Sequence, residues 1–183
     1  MFEEFEHFFN ISCSKANSEN NDALKVFREK YQGKEFGGGL YRVFREEEIS
    51  KWKKIITEGY PDFIKQFEPF AYDWLGRCFA IDLRTNTSGN ILMFEIGTAD
   101  VLKIPCNFVE FHNQEIPLYN EACLASKFFN EWKETHKQTL EHNKCAGYKI
   151  PLFLGGKDEV SNLELSDMEV YWFICSSVKI RID

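Results

Sequence analysis

The chain has 183 residues, room for one ordinary domain, and 44% of them are hydrophobic, enough to bury a core of its own. Its 29 acids outweigh 22 bases for a formal net charge of -7, which argues against direct nucleic-acid binding and favours a basic protein as partner. No stretch reaches the roughly 18 apolar residues of a membrane span, and the acidic start MFEEFEHFFN has no basic region of a secretory signal.

A cytoplasmic protein is therefore expected, with its six cysteines reduced, since none sits in a Cys-x-x-Cys pair. The 18 Phe point to a core built from large rings.

Along the chain, Phe2, Phe5, Phe8 and Phe9 make an apolar stripe on a short helix. A second helix is expected from a cap at Asn20 or Asn21 to about Tyr31, with Leu24, Phe27 and Tyr31 at helical spacing and Gly33 ending it. These pieces read as an N-terminal helical cover, residues 1–35, on a body of residues 36–183. Gly37, Gly38 and Gly39 lead into a strand at 40–45 and a helix from about Glu46, whose Ile49, Trp52, Ile55 and Ile56 share one face until Gly59 and Pro61 stop it.

Phe79, Ile81 and Leu83 then alternate with polar residues as in a half-buried strand, and a turn at 86–90 returns the chain into an apolar run at 91–96. That pair predicts an antiparallel hairpin. CNFVEFHNQEI and YNEACLASKFFNEWKETHKQTL read as helical, the latter with Ala122, Ala125, Phe129 and Trp132 on one stripe. Residues 170–178 are apolar on both faces and predict a central strand that buries Trp172. The order of elements predicts an α+β fold with a mainly antiparallel central sheet packed by helices, in one compact domain.

Chemistry is sparse in these patterns. A phosphate-binding loop requires G-x-x-x-x-G-K-[ST], but Gly156-Lys157 is followed by Asp158 and the first glycine position is Pro151. His136, His142 and Cys145 lack zinc-ligand spacing, and no two carboxylates stand out as an acid/base pair. No catalytic residue, metal or cofactor is expected. Gly37, Gly38, Gly39, Trp74, Gly76, Pro151, Gly155, Gly156 and Trp172 read as scaffold.

PLFLGG at 151–156 and NLELSDMEVYW at 162–172, with FGGGLYRVF at 36–44 and FAYDWLGRCFAID at 70–82, resemble the immunity proteins for type VI secretion effectors, whose N-terminal part is described as GAD-like. The resemblance spans roughly residues 36–178, with the N-terminal cover as a shortened GAD-like remnant. It implies an α+β protein without catalytic residues that binds and neutralises a toxic effector, in some cases a nuclease.

On that reading Asp158, Glu159, Glu164, Asp167 and Glu169 form an acidic patch that steers a basic effector, while Phe67, Phe70 and Tyr72 hold the complex together. The protein itself would be a monomer or weak dimer away from membranes. The competing reading is a small-ligand-binding or enzymatic domain with a pocket between sheet and helices.

Overall fold

The computed structural model describes residues 1–11, 22–84, 89–137 and 139–182. The fold is α+β. Six antiparallel strands form one sheet in sequence order: β1 (Glu35–Phe36), β2 (Tyr41–Val43), β3 (Phe67–Asp73), β4 (Cys78–Asp82), β5 (Ile91–Glu95) and β6 (Asp100–Ile104). Two further strands, β7 (Lys144–Tyr148) and β8 (Leu163–Asp167), pair antiparallel in a second sheet.

Alternation sorts the side chains of the large sheet into two cores. Phe79, Ile91 and Met93 join Phe5, Phe27, Tyr31, Tyr41, Phe70, Trp74 and Trp132 on one side. Cys78, Ala80, Leu92 and Phe94 join Trp52, Ile56, Tyr72 and Trp172 on the other. The first side is covered by α1 (Glu3–Phe8), α2 (Ala23–Tyr31), α4 (Phe108–Glu110), a π-helical turn (Phe111–Glu115), α5 (Ile116–Leu124) and α6 (Ser126–Thr135). The second side is covered by α3 (Ile49–Gly59) and α7 (Met168–Ile182).

The expected helix at 20–31 begins at Ala23, where the Asp22 carboxylate accepts from the amides of Leu24 and Lys25. The alternative caps Asn20 and Asn21, the greater part of the hairpin turn at 86–90, and Cys13 lie outside the described residues. Ile81 leans on the first core, but Leu83, expected on the same face, lies beyond the end of β4 and is 48% exposed. The helix expected through 119–140 is two helices, because Ala125 takes a left-handed conformation (φ 50°) and breaks the stripe.

The largest correction concerns residues 170–178, which form α7 and not a central strand. Their apolar residues satisfy both periods. Helical spacing wins because Met168, Tyr171, Trp172, Cys175 and Ser176 then share one buried face. Trp172 is buried as expected, on that face.

A buried polar network joins the two sheets. Asp73 at the end of β3 accepts from the Arg77 guanidinium at 2.6 Å and from the amides of Leu75 and Arg77 at 3.0 Å. Burial raises the Asp73 carboxyl against the pull of Arg77. Arg42 on β2 donates to the carbonyls of Asp73, Glu141 and Lys144, which fixes where β7 begins.

Candidate partner-binding surface

The second sheet, its preceding loop and α7 form a continuous stretch of chain, and each piece is rigidly held. β8 runs directly into α7, whose first turn is capped by Asp167: its carboxylate accepts from the amides of Glu169 (3.1 Å) and Val170 (3.2 Å). The same side chain faces Lys144 at 3.4 Å.

The outer face of α7 is as apolar as the inner one. Val170, Phe173, Ile174 and Ile180 recur at helical spacing and are each more than half exposed, Phe173 at 67%. A surface helix normally turns polar residues outward. Between this face and α3 runs an open groove lined by Ile55, Glu58, Val170, Phe173, Ser177 and Ile180. Lys51 of α3 closes one end with an ion pair to Glu169 at 2.5 Å.

The loop before β8 is built around Asn162. Its amide nitrogen donates to the carbonyls of Ile150 and Lys157, both at 2.9 Å, while its amide oxygen accepts from the Ile150 amide at 3.1 Å. The Pro151 carbonyl accepts from Gly156 at 3.1 Å, and the Leu152 amide donates to Gly97 at 2.8 Å. Gly156 has no room for a side chain, since a β-carbon there would stand 1.9 Å from the Ile150 carbonyl oxygen. The result is a stiff loop that presents Ile150 and Leu154 to solvent.

The five acids expected to make one patch divide by task. The Tyr148 hydroxyl donates to Asp158 at 2.6 Å; burial and this neighbour raise the phenol, so it remains a neutral donor. Glu159 accepts from the Ser161 hydroxyl, Asp167 caps α7 and Glu169 pairs with Lys51. Glu164 on β8 is exposed and enters no ion pair among the described residues. Of the five, Glu164 and Asp167 lie on β8, Asp158 and Glu159 precede it and Glu169 stands in the first turn of α7.

Phe67, Phe70 and Tyr72 require correction as contact residues. All three lie on β3, 0–3% exposed, because this strand is central and covered on both faces. Among the scaffold residues, Gly37, Gly38 and Gly39 make the β1–β2 turn with φ of 62°, 67° and 96°. The Trp74 indole donates to Leu124 at 2.9 Å, and Gly76 (φ 78°) passes close to Cys145. Sequence reading missed the outer residues Phe173 and Ile174, assigned to the interior of a strand, and Ile180, which lies beyond the end of that strand. The helical period was masked because two apolar stripes, 168/171/172/175 and 170/173/174, interleave around the helix.

Residues 107–179 match the family model described as T6SS immunity protein Tdi1, C-terminal. Over 96% of its length the chain is also similar to the crystal structure of Atu4351 from Agrobacterium tumefaciens, with a TM-score of 0.61, 14% identity and 88% of that chain covered. At that identity the likeness shows a shared fold. No curated protein matches the chain at a significant level.

Proposed function

The match over residues 107–179 supports a T6SS immunity protein family, and from it we propose that this protein binds and neutralises a cognate type VI effector by docking on the outer face of α7. The observation that carries the reading is that Val170, Phe173 and Ile174 of this exposed apolar face lie within the matched stretch. Phe173, Ile174 and Val170 are the contact centre, the α3 groove receives the partner's side chains, and the polar ends supply the rim.

The net charge of -7 favours a basic effector. A nuclease fits best, because its cleft carries bases for phosphate. The site of action is the cytoplasm. The five cysteines among the described residues are free thiols, as a reducing compartment requires, and no described helix is long and apolar enough to cross a membrane.

The test is co-expression of this chain with the toxin encoded beside its gene. Growth should be restored and the two proteins should elute as one complex. Unrelieved toxicity together with separate elution would reject the immunity reading.

A further inference from the structure

α3 borders a second open groove, of about 520 Å³, where it meets the start of β3. Its charge is the reverse of the first. Lys53, Lys54 and Lys65 line it against the single acid Glu58, whereas the groove beside α7 is lined by Glu58 and Glu169 and by no base. We propose that this second groove docks an acidic peptide segment with one large apolar side chain, supplied by a protein partner other than the basic effector.

The chain builds the groove from three fixed pieces. A short 3-10 turn (Pro61–Phe63) ends at Ile64, and Lys65 then takes a left-handed conformation (φ 58°) before β3 begins at Phe67. Ile64 is 56% exposed, and Leu83, just past β4, is exposed beside the same groove. The Leu83 amide donates to the Gln66 carbonyl at 2.8 Å, which ties these two segments together. Phe67 is buried and lies at the floor, while α3 supplies Lys53, Lys54 and Thr57. An apolar floor with polar groups on its rim is thus formed before any ligand arrives.

The lysines are not used up within the chain. Lys53 meets Glu68 at 2.5 Å, but shares that carboxylate with Arg28 at 2.7 Å. Lys54 reaches Glu58 only at 3.8 Å, between two exposed side chains. Lys65 is exposed and enters no ion pair among the described residues. An ammonium has three N–H donors, so each of the three can still serve a ligand carboxylate.

Charge and shape together select the occupant. In a chain of net charge -7, three bases around one groove set the sign of what enters it, and a basic effector has the wrong sign. The cations stand on two elements, Lys53 and Lys54 on α3 and Lys65 on the segment before β3. A lone small carboxylate meets one of them. A peptide with acids on both sides of a leucine or phenylalanine meets both, while its apolar side chain covers Ile64, Phe67 and Leu83.

Synthetic Glu-Glu-Leu-Phe-Glu-Glu and its Gln and Lys counterparts are titrated against isotope-labelled full-length protein, with octanoate as the small carboxylate. The acidic peptide should shift the amides of Ile64, Lys65 and Leu83. The Gln peptide should bind about 10-fold more weakly and the Lys peptide should leave these amides unmoved. Lys65→Glu should weaken the acidic peptide about 10-fold; Lys65→Gly, which removes the charge and suits the left-handed backbone, should weaken it about 3-fold with the fold intact. Equal binding of the acidic and Gln peptides, no binding of either, or shifts confined to α7 overturns the proposal. So does undiminished binding in both Lys65 variants. Octanoate that moves the same amides as tightly as the peptide makes a small carboxylate the occupant and overturns the peptide. A concentration-dependent dimer that Lys65→Glu dissolves assigns the groove to a second copy and overturns it equally.

Discussion

The indole N–H of Trp172 donates to the carbonyl of Gly76 at 2.8 Å, which locks α7 onto the turn between β3 and β4. Gly76 holds φ at 78°, and a β-carbon there would meet Cys145 at 3.1 Å. Trp172→Ala should cost about 3–5 kcal/mol, through lost ring contacts and an unfilled cavity. Trp172→Phe keeps an aromatic ring but leaves the Gly76 carbonyl unpaired, at a cost of about 1–3 kcal/mol. Urea denaturation of both variants checks the order.

How much of this was legible in the sequence depended on how many faces each element buries. α3 buries one stripe and is polar elsewhere, so Ile49, Trp52 and Ile56 identified it. The β4–β5 hairpin was equally clear. α7 failed because apolar residues on both faces leave no phase to read, and Val, Tyr, Trp, Phe and Ile favour strands intrinsically. β3 hid its role for another reason: Pro69 interrupts the pattern, and the ladder accommodates it with a shift of register between Pro69 and Ala71. Of the acids, composition revealed their number; only the fold shows that Asp167 is a cap and that Glu164 is unpaired by any cation among the described residues.

The two glycines of the PLFLGG loop should respond differently in kind. Gly155 has φ 84° and open space where a β-carbon would stand, so Gly155→Ala adds conformational strain alone, about 1–2 kcal/mol. Gly156→Ala meets the Ile150 carbonyl at 1.9 Å and must break the Asn162 clasp. Thermal melts should show the larger loss in Gly156→Ala. Amide exchange should rise across 150–162 in that variant only.

His112 makes the protein sensitive to acid. It is buried among the rings of Phe2, Phe5, Phe27, Phe70 and Phe108, with Nε2 against the Tyr41 hydroxyl at 2.9 Å. Burial lowers its pKa to about 3 despite a hydrogen bond to the Phe108 carbonyl. The unfolded chain takes up this proton near pH 6.5 and the folded one does not, so the group's contribution falls as pH drops from about 6.5 to 3. The slope from one such site is about 1.4 kcal/mol per pH unit. His112→Gln, less stable at pH 7, should lose that slope when unfolding is measured at pH 7 and pH 5.

On the outer face of α7, contact energy and approach should separate. Phe173→Asp and Ile174→Asp alter side chains that are 67% and 54% exposed, so the melting temperature should hardly move. If the face is the docking centre, each should weaken effector binding at least 100-fold, the scale of a contact residue worth about 3 kcal/mol, and chiefly through faster dissociation. Glu159→Lys and Glu164→Lys lie toward the rim and should instead slow association, with an effect that fades as salt shortens the screening length to about 8 Å at physiological ionic strength. Stopped-flow association and dissociation rates at two salt concentrations distinguish the two groups. Normal dissociation in the α7 variants would move the interface off this helix, whatever the acids do.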